Sequence, residues 1–484
     1  MGEKLNEKLK TISLGLVLAM ATAAPAFAEG APKIDGGDTA WILVSAALVL
    51  LMTPGLAFFY GGMVRGKNSL NTLMMSFVAL AVVGLEWVLF GYSLAFAPGS
   101  QWLGGLQWLG LNGVGQEPSP LYMSTVPHLA FMVFQAMFAV ITPALMSGSV
   151  VSRMKFKTYV VFIMLWSAVV YVPIAHWVWS FTTGPDGKLI PGGWVGTLGG
   201  LDFAGGTVVH ISAGVSALLA ALIIGRRKGY LEQPMPPHNV PLVLLGAGLL
   251  WFGWFGFNAG SAGAANGLAA AAFVTTNTAA AAAMATWMLI ETFSPNVEKP
   301  TAIGAATGAV VGLVAITPAA GFVTPLAAIA IGGIAAIISY YMVQLRSKLK
   351  YDDSLDVFGC HGMGGLTGAI LTGVFCTKAV NPAVANEGLA YGGGFTQVWI
   401  QLLSVLGTVA IATVGTVTIL YALKFTMGLR TDEQTEQEGL DIHEHGEESY
   451  TGLVGGYALA EEESPFTPSM NPAPQSNIPR PAQE

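Results

Sequence analysis

Charged residues are scarce in this chain, because Asp, Glu, Lys and Arg make up only 10% of its 484 residues. A typical soluble domain carries about 25%. Hydrophobic residues make up 53%, and the few charges cluster between long apolar runs. A membrane-spanning helix needs about 20 mostly apolar residues, so the pattern predicts an all-α polytopic protein embedded in a lipid bilayer. A basic face for nucleic acid is missing, so no nucleic-acid partner is expected.

Cysteine is nearly absent, since the chain has only Cys360 and Cys376. One predicted helix would hold them roughly 20 Å or more apart, at about 1.5 Å per residue, so no disulfide is expected between them. The sequence also lacks CxxC or His/Cys metal spacing, HExxH, paired catalytic carboxylates and a Ser/His nucleophile arrangement. It therefore predicts neither a metal or other cofactor nor an enzyme.

Residues 1–28 have the pattern of a secretory signal. Three lysines make a basic start, residues 11–23 form a short apolar stretch, and Ala26-Phe27-Ala28 offers a small-x-small cleavage site. An uncleaved first helix is the alternative, but the stretch is short for one. We expect cleavage after Ala28, which leaves the mature N-terminus outside the cytoplasm.

Eleven apolar stretches after this signal are predicted to be transmembrane helices. They cover residues 38–62, 68–96, 125–149, 158–180, 199–225, 240–260, 266–292, 301–319, 322–346, 354–377 and 396–428. Lys and Arg cluster after the odd-numbered helices, and cytoplasmic segments attract these residues. The N-terminus should therefore lie outside and the C-terminus inside. Helices 1–5 and 6–10 then have opposite orientations, which suggests a five-plus-five inverted repeat followed by a last helix.

The chain divides by composition after the signal. Residues 29–428 form the membrane domain, and residues 429–450 form a charged, acidic tail on the cytoplasmic side. Residues 451–484 contain many Pro, Ser, Asn and Glu residues and few large apolar side chains. We expect this last part to be a disordered C-terminal extension.

Ionisable residues inside membrane helices are costly and usually face the protein interior. The predicted helices contain Glu86, His128, His176, Asp202, His210, Glu291, Asp356 and His361. His128, His176 and Glu291 fall near helix ends, where an interfacial or structural role is favoured. Glu86 is deeper, and could form a helix-packing hydrogen bond, a subunit contact or part of a path.

Two mid-helix histidines, His210 and His361, have apolar or glycine neighbours. One such histidine is more often a satisfied core residue, but two in helices matched by the proposed repeat favour a shared role. Asp202 ahead of His210 and Asp356 ahead of His361 are a faint sign of that repeat. A neutral imidazole, which burial favours, both donates and accepts hydrogen bonds. A metal site is the poorer alternative, because no third ligand is near.

Asp202 is predicted to open helix 5. A carboxylate there can cap free backbone N–H groups and suit the helix dipole. It could also place a negative charge near a cation entrance, and both roles can hold together.

Several aromatic residues share a pattern. Phe134 and Phe138 are four residues apart on one face of helix 3, Trp179 ends helix 4, and Trp254 and Phe257 lie close together in helix 6. Each one singly fits a core or interfacial position. Together they could form an aromatic cage for a small cation.

Long motifs in this chain resemble the ammonium transporter family (the Amt/MEP/Rh superfamily), specifically its bacterial Amt branch. They are PGLAFFYGG at 54–62, DFAGGTVVH at 202–210, WFGFNAGSAG within 251–263, DVFGCHG at 356–362 and the tail GLRTDEQTEQEGLDIHEHGEESY at 428–450. The resemblance runs from about residue 38 to residue 450. It implies a homotrimer of eleven-helix protomers in the bacterial inner membrane, each with its own ammonium pore and an inverted repeat.

The resemblance also implies roles for individual residues. His210 and His361 would be the twin histidines that line the pore. The outer ammonium-binding site would contain Phe138, Trp179 and Ser261, with Asp202 as an indirect stabiliser near the entrance. Phe138 and Phe257 would form the aromatic gate, and Phe134 and Trp254 would be neighbouring pore aromatics.

The expected mechanism is recruitment of ammonium outside, deprotonation near the gate and passage of ammonia through a dry pore. An ammonium sensor with the same fold is the alternative, although a sensor usually carries a signalling domain and residues 429–484 are short and polar. The tail resembles the family segment that communicates with PII-type signal proteins, so its deletion should disturb regulation more than folding. A simply solvated tail is the other reading of this segment.

Overall fold

A computed structural model of the chain describes residues 33–450 except 296 and 298. Long helices make up most of this part, and we number them in chain order. They are α1 (Gly36–Met63), α2 (Gly66–Phe96), α3 (His128–Val150), α4 (Phe156–Trp179), α5 (Gly206–Ile224), α6 (Val240–Gly260), α7 (Gly267–Phe293), α8 (Ala302–Ile316), α9 (Pro325–Leu349), α10 (Phe358–Gly362 continued by Met363–Phe375) and α11 (Thr396–Thr426). The predicted signal at 1–28 and the extension at 451–484 lie outside the described residues.

Within the described residues, nine helices are long and apolar enough to cross a membrane, and α8 is a shorter apolar helix. The prediction of an all-α polytopic membrane protein is therefore confirmed. A small antiparallel hairpin, β1 (Phe181–Thr183) and β2 (Leu189–Pro191), follows α4 and was not predicted.

The predicted start of helix 5 at residue 199 is wrong, because α5 begins only at Gly206. Gly199 and Gly205 have φ angles of 81° and 116°, which glycine adopts readily but which end a right-handed helix. Asp202 therefore lies in the turn that precedes α5 and does not open the helix itself.

Four of the described helices contain a π-helical segment. These segments are Trp87–Gly91, Ser167–Tyr171, Gly206–Ile211 and Phe358–Gly362. Single π turns inside α-helices are frequent at functional sites. The last two segments carry His210 and His361, so both mid-helix histidines lie where the helix departs from regular α geometry.

Glycines allow α5 and α10 to cross closely. A side chain on Gly214 would overlap the backbone of Gly362, and a Cβ on Gly365 would lie 3.0 Å from the Cβ of His210. Small residues permit this approach between membrane helices. The crossing brings the two histidine-bearing π segments against each other.

The tail forms two short helices, α12 (Glu433–Glu438) and α13 (Leu440–His445), which pack on one end of the bundle. Asp441 accepts hydrogen bonds from the backbone N–H groups of Leu70 and Asn71 at 3.0 and 2.8 Å. The tail up to Ser449 is therefore docked on the helices, and the alternative of a simply solvated segment is wrong for this part.

Candidate functional site

The Asp202 carboxylate holds the start of α5. Its Oδ1 accepts hydrogen bonds from the N–H groups of Gly205 and Gly206 at 2.8 and 2.6 Å, and its Oδ2 accepts from the N–H of Thr207 at 2.7 Å and from the Thr207 hydroxyl. Burial raises the pKa of Asp202, while the hydrogen bonds from Thr207 and the two glycines oppose this shift. Because all four partners are donors, the geometry suits the ionised carboxylate. The expected capping contacts are present, but the helix that they hold begins at Gly206, four residues after Asp202.

Three of the expected aromatic residues meet next to this turn. Trp179 donates its indole N–H to the Asp202 carbonyl at 3.0 Å, and its ring lies 6.0 Å from Phe138 at 83°. The rings of Phe138 and Phe257 are 4.2 Å apart and inclined by 32°, so they are tilted and not stacked in parallel. Phe138 and Phe257 are buried and Trp179 is partly exposed. Phe134 extends the group from 5.0 Å away.

Ser261 lies one helical turn beyond Phe257 and is partly exposed. Its hydroxyl donates to the Phe257 carbonyl at 2.8 Å. A hydroxyl has one donor and two acceptor lone pairs, so Ser261 can still accept a hydrogen bond from a cation that carries N–H groups.

His210 and His361 face each other where α5 and α10 cross. Their Nδ1 atoms are 3.2 Å apart, and their ring centroids 5.3 Å. A hydrogen bond between two neutral imidazoles needs one donor and one acceptor, so the rings must be opposite tautomers. One Nε2 is then a donor and the other an acceptor. The Nε2 of His210 is buried and has no hydrogen-bond partner among the described residues.

Trp254 forms the wall beside this pair. Its ring lies 5.4 Å from that of His210, at 24°. The indole N–H donates to the Thr317 hydroxyl at 2.9 Å, and Thr317 donates in turn to the Leu313 carbonyl at 2.7 Å. Thr317 therefore fixes the orientation of Trp254, and no sequence motif pointed to it.

Two small cavities border the histidines. The one between Phe257 and the histidine pair has a volume of about 10 Å³ and is lined mainly by aliphatic and aromatic side chains. This is near the minimum of about 10–15 Å³ that holds one water. The one beyond His361 has about 60 Å³ and also borders Thr307 and Asp356. The cavity beside Phe257 is therefore small and apolar, and the one beside Asp356 is larger and more polar.

Comparisons with known proteins identify the family. The model of the Ammonium Transporter Family matches residues 40–450. This chain belongs to that family. The ammonium transporter of Bacillus subtilis (strain 168) is 49% identical over 415 residues, which cover 86% of this chain and 98% of that protein. Bacterial relatives of this kind confirm the resemblance to the bacterial Amt branch.

Solved structures of ammonium transporter relatives share the fold. The crystal structure of Saccharomyces cerevisiae Mep2 is 37% identical with a TM-score of 0.76, and the match covers 83% of this chain and 89% of that one. The structure of a Sensor Amt Protein is 28% identical with a TM-score of 0.75, and the match covers 84% and 98%. The family consists of transporters and not enzymes, so the prediction that this chain is not an enzyme is confirmed.

The structure corrects the pairing of acidic residues in the proposed repeat of this family member. Asp353, and not Asp356, is placed like Asp202, because each lies eight residues ahead of a buried histidine. Asp353 also accepts a hydrogen bond at 2.7 Å from the backbone N–H of Phe358, where α10 begins. The repeated eight-residue spacing is a signal that sequence reasoning missed.

Asp356 has a different role from the one that this pairing implied. It has a φ of 59° and forms an ion pair with Arg346 at 3.1 Å. The predicted helix over 354–377 is therefore wrong at its start, since α10 begins after this turn.

The three ionisable groups that were predicted near helix ends, His128, His176 and Glu291, have structural contacts. His128 contacts the Tyr92 hydroxyl at 2.6 Å. His176 faces two backbone carbonyls at 2.9 and 2.7 Å. Glu291 accepts a hydrogen bond at 2.7 Å from the backbone N–H of Thr301, just before α8. Among the described residues, no three His, Cys, Asp or Glu side chains are grouped so that they could hold a metal ion.

Proposed function

We propose that this chain carries ammonium into the cell by binding the cation at the outer aromatic site, deprotonating it near the gate and conducting ammonia past His210 and His361. The observation that carries the proposal is the histidine pair, two buried imidazoles 3.2 Å apart beyond a pair of closely packed phenylalanines. Membership of the ammonium transporter family supports ammonium as the substrate.

Recruitment would take place at Phe138, Trp179 and Ser261. Aromatic rings attract cations within about 6 Å of their centroids, but this attraction alone does not separate ammonium from potassium, which has similar size and charge. Ammonium also donates directed hydrogen bonds, and the Ser261 hydroxyl has the free lone pairs to accept one. The indole of Trp179 is held in place by the Asp202 carbonyl, so Asp202 supports this site through the backbone.

Conduction would require loss of a proton. The space between Phe257 and the histidines is near the size of one water, so a cation could not keep its hydration shell there. A bare charge in apolar surroundings costs far more than a neutral polar molecule. Ammonia can pass, and the opposite tautomers of the pair offer it one donor and one acceptor.

The membrane arrangement is part of the proposal. We infer eleven transmembrane helices in a five-plus-five inverted repeat plus α11, with the N-terminus outside and the C-terminus inside the bacterial inner membrane. The matched placements of Asp202 before His210 and of Asp353 before His361 support the repeat. A cleaved signal at 1–28 and a homotrimeric assembly complete the expected form.

The docked tail is proposed to connect transport to a PII-type signal protein. Deletion of residues 429–450 should then abolish capture of a purified PII protein by the detergent-solubilised chain. Equal capture by the full-length and truncated chains would remove this idea and leave the transport proposal untouched.

A sensor is the second candidate, because the 28% identical Sensor Amt Protein has the same fold. A sensor would bind ammonium without moving it. Uptake of radiolabelled methylammonium into proteoliposomes, with and without competing ammonium, separates the two functions. We expect uptake that ammonium suppresses, and its loss in a double His210→Ala, His361→Ala variant.

The matched control is His443→Ala, which removes an exposed histidine of the tail and should retain uptake. Ammonium binding without uptake by the wild-type chain would favour the sensor. Uptake by the double histidine variant at the wild-type rate would contradict the proposed path.

A further inference from the structure

The cavity beyond His361 has an unusual set of side chains on its wall. The thiol of Cys360, the thioether of Met63 and the imidazole of His361 all border it. Its volume of about 60 Å³ is several times the minimum that holds one water. The proposed transport steps use His361 but neither Cys360 nor Met63, so these two sulfur atoms lack a role.

The two neighbouring side chains of α10 both retain free coordinating atoms. Cys360 is a free cysteine that is 7% exposed. His361 is 3% exposed, and its Nδ1 is engaged with His210. Its Nε2 has no hydrogen-bond partner among the described residues. The thiol of Cys360 and the imidazole of His361 lie on the wall of one cavity. Sulfur is the donor that soft metal ions prefer, and an imidazole nitrogen is a common second ligand.

We propose that Cys360 and His361 form a binding site for a soft monovalent cation, for which Ag⁺ is the probe. The Cys360 S–H bond breaks as the S–Ag bond forms, and the proton leaves to water in the cavity. A thiol that coordinates a metal is deprotonated in this way. The Nε2 lone pair of His361 supplies the second ligand, and two ligands are enough for Ag⁺, which favours linear coordination.

Other groups on the wall suit this occupant. The thioether of Met63 is a soft donor that can approach as a third ligand. Asp356 also borders the cavity, but its charge is balanced by the ion pair with Arg346. An ion bound in this place would engage the nitrogen that the proposed path offers to ammonia. This consequence, unlike the binding itself, rests on the proposed function.

The chain contains a matched control. Cys376 is also a free, buried cysteine, but it follows the end of α10 and its Sγ faces the Asn386 carbonyl at 3.6 Å. It borders neither of the two cavities beside the histidines. Cys376→Ser therefore removes a thiol of similar burial without touching the proposed site.

Binding is tested by native mass spectrometry of the purified full chain equilibrated with silver nitrate in chloride-free buffer. We expect one Ag⁺ per chain for the wild type and for Cys376→Ser, and none for Cys360→Ser or Cys360→Ala. His361→Ala should weaken binding by at least about tenfold, since even outer-shell partners of metal ligands typically account for 10–100-fold in affinity. Retention of Ag⁺ by both Cys360 variants, or its loss from Cys376→Ser alone, would overturn the inference.

Transport then provides a separate result. Ag⁺ should block methylammonium uptake by the wild type and by Cys376→Ser, and spare Cys360→Ala. If one Ag⁺ binds per chain but uptake is not blocked, the metal site is supported and the proposed path through His361 is contradicted. Normal uptake without any Ag⁺ binding would overturn the metal site and keep the transport proposal.

Discussion

The hydrogen bonds of Asp202 predict how its substitution affects folding and transport. Asp202→Ala would strand the N–H groups of Gly205, Gly206 and Thr207 in a buried turn. A buried donor left without a partner costs about 1–3 kcal/mol. Taking the lower value for each of the three groups, we expect the variant to lose about 3 kcal/mol of stability and most of its transport.

Asp202→Asn separates the cap from the charge. The amide oxygen can keep the two bonds to Gly205 and Gly206, while the amide nitrogen would face the N–H of Thr207 and lose that bond. We therefore expect a loss of about 1–3 kcal/mol and partial transport. If Asp202 acted only through its negative charge, the Asp202→Asn and Asp202→Ala variants would be equally inactive. Only the Asp202→Glu variant would then transport.

The assay combines unfolding in detergent, followed by tryptophan fluorescence, with methylammonium uptake normalised to the inserted protein. Asp186→Asn is a suitable control, because Asp186 is exposed and solvent screens its ion pair with Lys188 at 3.4 Å, so the pair contributes little to stability. Asp202→Ala protein with wild-type stability and uptake would refute the reasoning. An inactive Asp202→Asn protein of wild-type stability would favour the charge over the cap.

Three further predictions concern other parts of the molecule. His361→Asp should admit potassium, since a formal charge draws water into the apolar path; ammonium current without potassium current on a supported membrane would contradict this. Thr317→Val strands the Trp254 indole N–H and should cost about 1–3 kcal/mol and reduce uptake, while Thr317→Ser should restore both. Arg227 pairs with Asp352 at 2.8 Å. Burial raises the pKa of Asp352, but Arg227 and the charge of Arg153 together outweigh this effect and lower it. Asp352→Asn should therefore cost about 3–5 kcal/mol at neutral pH, and the stability that the pair gives the wild type should be lost as the pH falls below the ordinary value of 3.8.

The helices were predictable because their signal is strong. Long apolar runs between charged connections have few alternatives in a membrane protein, and the segments matched to within a few residues at most ends. The start of α5 was missed because residues 199–205 are small or apolar apart from Asp202, so composition alone cannot separate a turn from a helix. The two glycines with positive φ decide it, and their conformation depends on the surrounding contacts.

The candidate site was only partly predictable. The spacing of Phe134 and Phe138 indicated a shared face, and family resemblance indicated which distant residues should meet. Thr317 and Asp353 act by accepting a hydrogen bond from an N–H group. Which hydroxyl or carboxylate meets which N–H group is decided by folding, so no local sequence pattern marks these residues. Glu86 is a further residue whose role has no local pattern. Its Oε1 is buried and has no hydrogen-bond partner among the described residues.

The two π turns that carry His210 and His361 have a consequence for how such a path can be lost or changed. A π turn accommodates one residue more than an α turn, so deletion of one residue could restore regular hydrogen bonding. The helix would keep its length and apolar surface to within a residue, but the following side chains would rotate by about 100°. Deletion of one residue in either turn would therefore move the histidine out of position while the helix stays folded.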